Sequence, residues 1–87
     1  MSYSLILNPS IEKDLRSLPK TFILKAVKQI IALQDDPIPH QAKKIVNADG
    51  MYRVRVGDYR IVYSVSDQDE TITILRISHR SNVYRHL

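Results

Sequence analysis

The stretch from Met51 to Val65 constrains this chain more than any other. Tyr52, Val54 and Val56 alternate with Met51, Arg53 and Arg55, and then Tyr59, Ile61, Tyr63 and Val65 alternate with Arg60, Val62 and Ser64. A period of two is the mark of a strand with one buried face. The two runs are separated only by Gly57-Asp58, and a two-residue loop with Gly first suits a type II′ hairpin turn. That turn predicts a register in which Val56 pairs with Tyr59, Arg55 with Arg60, and Val54 with Ile61. A slip of one residue would turn every apolar side chain out of the core, so the register is strongly specified.

The remaining elements are punctuated by Pro9, Pro19, Pro37 and Pro39. Tyr3 to Leu7 is a short apolar stretch. Asn8-Pro9-Ser10 reads as a helix start, with the proline tolerated in the first turn, and Ile11, Leu15 and Leu18 then share one helical face. Pro19 breaks this helix. Thr21 to Gln34 forms a second one, with Ile23, Val27, Ile30 and Gln34 on a stripe flanked by Phe22, Ala26 and Leu33. After the loop Asp35-Asp36-Pro37-Ile38-Pro39 comes a short strand at Lys44-Ile45-Val46, and Asn47-Ala48-Asp49-Gly50 is a turn. A second turn, Asp67-Gln68-Asp69-Glu70, leads to the β-branched run Thr71 to Ile77. The expected fold is α+β. Two antiparallel helices, residues 9–18 and 20–35, pack on a mainly antiparallel sheet of about four strands, and a short tail or helix from Arg80 to Leu87 follows.

With 87 residues the chain is read as a single domain, 1–87, that buries only roughly 60–65% of its unfolded surface. It has no Cys, which excludes a disulfide scaffold and thiolate zinc sites. Three scattered His do not make a metal cluster, so no metal or cofactor is expected. No charged segment precedes a long apolar run near the N-terminus, and no stretch approaches the ~18 apolar residues of a membrane span. The reading is cytoplasmic. Thirteen Lys and Arg against nine Asp and Glu give a net charge of +4 and bias the chain toward a polyanion. The acids sit at the ends of elements, whereas arginines crowd into 53–60 and 76–85, so one basic face is expected.

The hairpin register sets Arg55 across from Arg60, with Arg53 two residues along on the same face. Like charges opposite each other on adjacent strands are destabilising. A bound phosphate would convert that repulsion into bidentate hydrogen bonds, to which the planar guanidinium fork is matched. The plainer alternative is a solvated outer face whose arginine stems cover Val62. Beyond the last strand, Ser78-His79-Arg80-Ser81-Asn82-Val83-Tyr84-Arg85-His86 delivers further cations, two His and a Tyr toward the hairpin.

Met51-Tyr52-Arg53-Val54-Arg55-Val56-Gly57-Asp58-Tyr59-Arg60-Ile61-Val62-Tyr63, followed by Ile77-Ser78-His79-Arg80 and Val83-Tyr84, resembles the signature of the RelE/ParE toxin superfamily. The resemblance spans the whole chain. It implies a RelE-type toxin of a type II toxin–antitoxin system, an endoribonuclease that cleaves messenger RNA in the ribosomal decoding site. It further implies a partner RelB-like antitoxin, with contacts to ribosome and messenger RNA. The implied reaction is attack of a ribose 2′-hydroxyl on the adjacent phosphate. It needs a base for that hydroxyl, cations for the pentacoordinate phosphorane and an acid for the departing 5′-oxygen, and no metal. The positions matching the family's site are Arg53, Arg55, Arg60, Arg80 and Tyr84. Arg53, Arg55, Arg60 and Arg80 are the expected phosphate-binding set, with Arg55, Arg60, His79, Arg80 and Tyr84 as catalytic candidates.

The pattern departs from the best-studied members at the basic pair, where lysines are usual and Arg53 and Arg55 stand here. An arginine practically never releases its proton at neutral pH. His79, beside Arg80, therefore becomes the better candidate base, and Tyr84 a stacking platform or proton carrier. Ser78 occupies a position where Gly is frequent in relatives, which leaves the placement of His79 open. Two other functions fit the same fold: a ParE-type inhibitor of DNA gyrase, and a non-catalytic nucleic-acid-binding regulator. The arginine set with a nearby titratable group favours the nuclease.

Overall fold

The structure, a computed structural model, describes residues 2–79. Its elements in chain order are β1 (Ser4–Leu7), α1 (Ile11–Arg16), α2 (Lys20–Leu33), β2 (Lys43–Lys44), β3 (Met51–Val56), β4 (Tyr59–Ser66) and β5 (Thr71–His79). The sheet has five strands in the order β1-β5-β4-β3-β2 rather than about four. The fifth strand is Tyr3 to Leu7, the first β element of the sequence reading, which joins the same sheet as the other four. It pairs parallel to β5, from Ser4 beside Thr71 to Leu7 beside Ile74, while every other pairing is antiparallel.

The hairpin forms in the expected register, with Val56 opposite Tyr59, Arg55 opposite Arg60 and Val54 opposite Ile61. Gly57 has a φ of +60° and Asp58 is not in the positive region, as a type II′ turn requires. The helices begin and end inside the expected limits. Ser10 makes no side-chain cap. Instead Asn8 Oδ1 accepts from the Ser10 backbone N–H at 3.1 Å and from its hydroxyl at 3.1 Å, so the helix start is built one step earlier. The buried line of α2 is Ala26, Ile30 and Leu33, turned slightly from the stripe expected around Ile23 and Val27.

One face of the sheet carries the core. Val54, Ile61, Tyr63, Ile72, Ile74 and Ile77 meet Ile11, Leu18, Ala26, Ile30 and Leu33. Beyond Leu7 the outer edge of β5 has lost its β1 partner, and Asp14 of α1 takes over, its Oδ2 accepting from the Ile77 N–H at 2.9 Å. A carboxylate on a short helix thereby satisfies a strand edge that would otherwise cost a hydrogen bond. No described helix is long and apolar enough to cross a membrane.

Tyr63 is fully buried, and its hydroxyl donates to the Pro37 carbonyl at 2.7 Å, pinning the loop after α2 to the central strand. Burial, with lesser contributions from Tyr52 and Asp36, pushes its phenol up to about 12. The folded state therefore keeps this proton while the unfolded chain releases it above about pH 10. The stabilisation is whole below pH 10 and is lost as pH rises toward 12. At neutral pH, Tyr63→Phe should lower stability by about 1 kcal/mol through the lost hydrogen bond. Near pH 12 the order should reverse, the variant becoming the more stable protein. Urea midpoints at both pH values check this; parallel curves for the two proteins would refute it.

Candidate nucleic-acid interface

Alternation along the strands sends a second set of side chains to the face away from the helices. Two rows cross this face. Arg55 on β3 lies beside Arg60 on β4, which lies beside Ser78 on β5. One pleat further along, Lys43 on β2 lies beside Arg53, Arg53 beside Val62, and Val62 beside Arg76. None of the five strands contains an Asp or Glu, so no acid within the sheet neutralises these rows.

The rows share this face because of a bulge. The β4–β5 register shifts between Val62 and Tyr63: Tyr63 pairs with Ile74 but Val62 pairs with Arg76, and Leu75 is left over. Without that extra residue Arg76 would point into the core beside Ile61, and Ile77 would stand outside beside Arg60. The bulge re-aims every later residue of β5, burying Ile77, turning His79 to the helix side and setting Arg76 and Ser78 on the face of the cations.

Arg53, Arg55 and Arg60 converge with Lys43 and Gln41 on a cavity of about 190 Å³. Arg55 is held from behind, its Nε donating to the Gly57 carbonyl at 2.8 Å, which orients the guanidinium before any ligand arrives. Val62, on this outer face, is only 6% exposed. Three guanidinium groups and an ammonium around one small cavity have the charge and the donors that an anion with several oxygens, such as a phosphodiester, calls for. A second, larger hollow of about 390 Å³ lies between Leu7, Asn8, Pro9 and α1, but it gathers no cations.

The sequence reading thus placed Arg53, Arg55 and Arg60 together, and the structure brings them together. His79 goes elsewhere. It pairs with Tyr59 on the helix side of the sheet, and its ring meets the Tyr59 ring edge-on at 5.5 Å, Tyr59 in turn contacting Phe22 at 5.0 Å. The expectation that His79 joins the arginine cluster is corrected: strand alternation puts it on the opposite face from Arg60. Arg80 and Tyr84 lie outside the described residues. Gln41 and Lys43 were missed. The signal was the Lys43-Lys44 doublet, but the strand was expected one residue later, which hid the pairing of Lys43 with Arg53.

Comparison with known proteins identifies the family. Residues 5–84 match the family model described as ParE toxin of type II toxin-antitoxin system, parDE. The chain belongs to the RelE/ParE toxin family. A Methanocaldococcus jannaschii relative bearing the toxin name RelE1 is 33% identical over 99% of this chain and 99% of its own length. Toxin RelE of Mycobacterium tuberculosis is 30% identical over 95% of this chain and 87% of its own. Among solved structures, the archaeal RelE-RelB complex from Pyrococcus horikoshii contains a chain that is 32% identical with a TM-score of 0.81, covering 92% of this toxin and 97% of that chain. This toxin therefore shares its fold, over nearly its whole length, with RelE toxins.

Proposed function

We propose that this toxin is a ribosome-dependent endoribonuclease that cleaves messenger RNA in the decoding site and so stops translation. The observation that carries the reading is the cavity lined by Arg53, Arg55 and Arg60 with Lys43 and Gln41. The scissile phosphate sits in that cavity. Arg60 and Arg55 bind its non-bridging oxygens and gain strength as the phosphorane acquires charge, which is where a preorganised cation lowers the barrier most. Arg53 completes the clamp. The nucleophile is the RNA's own 2′-hydroxyl, which gives its proton to a base and attacks the adjacent phosphorus. The bond to the 5′-oxygen breaks and that oxygen takes up a proton, leaving a 2′,3′-cyclic phosphate and a 5′-hydroxyl with no metal required. Arg80 is assigned a further phosphate contact, and Tyr84 stacking on a base or proton transfer, on the resemblance of those positions to the family's site.

His79 takes a positioning role in this scheme, holding the end of β5 through its edge contact with Tyr59. His79→Gln is expected to keep the single-turnover cleavage rate within a few-fold of wild type at every pH. A large loss with an altered pH profile would return the proton-transfer role to it.

The toxin is further proposed to be held inactive by a RelB-like antitoxin, a partner of the kind found with RelE in the Pyrococcus complex. Leu24 and Ile31, seven residues apart on α2 and 60% and 54% exposed, offer an apolar stripe to an antitoxin helix. The ParE name of the family model keeps gyrase inhibition in view as a second reading. Primer-extension mapping of messenger RNA on purified ribosomes separates the two. Discrete breaks that require the toxin support the nuclease, whereas intact messenger RNA together with inhibited gyrase supercoiling would replace it.

A further inference from the structure

We infer that Arg76, with Ser78 beside it, forms a second subsite that binds the phosphate neighbouring the scissile one on single-stranded RNA. The inference rests on the nuclease reading and extends it along the substrate. Arg76 is exposed and two strands from Arg53, about 10 Å away at the usual strand spacing, so it stands outside the cavity and cannot share the same phosphate oxygens by position alone. It makes no ion pair with any described residue. Between the two arginines lies Val62, apolar and buried, which separates the two cations without itself holding a charge.

Ser78 supplies an independent observation. It is 9% exposed and sits beside Arg60 on the same face, yet its Oγ has no hydrogen-bond partner among the described residues. An unpartnered buried hydroxyl is costly unless something completes it. The Oγ is closed to solvent, so an RNA oxygen beside Arg60 completes it only as the side chains over it part. The bulge at Leu75 is what brings Arg76 and Ser78 out together, two residues apart and about 6.7 Å from one another along β5. The site is thus extended from β2–β4 onto β5 as a track that crosses the strands.

The test uses the full toxin and two RNAs that carry 2′-O-methyl groups and so lack the nucleophile: a dinucleotide with a single phosphodiester, and a hexanucleotide. Binding is measured across a salt series for wild type, Arg76→Ala, Ser78→Ala and Arg60→Ala, with circular dichroism as folding control. Arg76→Ala should lower hexanucleotide affinity roughly fivefold. It should reduce the slope of log K against log salt by about 0.7, one phosphate contact on a single strand, with dinucleotide binding unchanged. Ser78→Ala should weaken the hexanucleotide without changing the slope. Arg60→Ala should weaken both ligands. If Arg60→Ala acts and Arg76→Ala changes neither ligand, or weakens both equally, the subsite is overturned while the cavity reading stands. If Arg60→Ala changes nothing, the nuclease reading fails and the subsite with it. If Arg76→Ala loosens only the complex with an antitoxin, the surface is a protein contact and the inference is wrong.

Discussion

Replacing Arg60 with Ala is expected to slow ribosome-dependent cleavage by about 10²–10³-fold, the usual cost of removing one transition-state donor from a preorganised site. The domain should stay folded, for a reason visible in the register. Arg60 lies between Arg55 and Ser78 on the central strand of the sheet, and Arg55 is its direct cross-strand partner. Opposed like charges work against the strand pair, so deleting one removes a repulsion along with whatever packing the side chain provides. The thermal midpoint should therefore remain within a few degrees of wild type while activity collapses. Arg60→Lys separates charge from shape: it keeps the cation and loses the planar fork, and should recover only part of the rate. Single-turnover cleavage on programmed ribosomes, read beside thermal unfolding, decides the matter. A folded Arg60→Ala protein that still cleaves at the wild-type rate would remove Arg60 from the mechanism.

The same register explains which parts of the site could be read from sequence. The hairpin carried its own instructions, because alternation and a Gly-first two-residue turn leave a single pairing that buries the apolar residues. Arg53, Arg55 and Arg60 follow from it directly. The β5 contribution did not follow, because a bulge changes which face every later residue occupies. Its trace is the break in Thr71-Ile72-Thr73-Ile74-Leu75-Arg76-Ile77, where two apolar residues stand side by side before the period resumes. Read with the shift, Ile77 is core and Arg76 and Ser78 face the cations; read without it, the assignments invert. His79 was misplaced for a related reason, since its nearness to the cluster was judged from sequence adjacency to Arg80 and not from its pairing with Tyr59. The β1 pairing was illegible because a parallel partner sixty-odd residues away leaves no local pattern, as a hairpin does. The contribution of Lys43 depends on a two-residue strand, shorter than any periodicity can reveal.

Gly57→Ala should be the most damaging single change to the fold outside the core, costing about 2–4 kcal/mol. Two effects add. The residue holds a φ of +60°, where any side chain strains the backbone, and a Cβ built there would lie 2.4 Å from Cε1 and 3.0 Å from Cζ of Phe22 on α2. Phe22 cannot simply withdraw, since its ring packs on Tyr59 at 5.0 Å, with the Lys25 ammonium 5.5 Å from the ring centroid. For a domain of this size each 1 kcal/mol shifts the midpoint by roughly 4–8 °C, so a fall on the order of 10–20 °C is expected. A double-mutant cycle with Phe22→Ala distinguishes the causes. If the clash dominates, the paired variant should be more stable than the sum of the single losses predicts, by about 1 kcal/mol or more; strict additivity would assign the loss to the backbone alone. The turn also reaches the chemistry, because the Gly57 carbonyl accepts from Arg55 Nε and so aims the guanidinium. In the paired variant, refolded and stable enough to assay, cleavage should still be depressed while RNA binding at low salt is largely kept, since the charge is present but no longer oriented. Wild-type cleavage in that protein would show that the turn secures the fold and leaves Arg55 to orient itself.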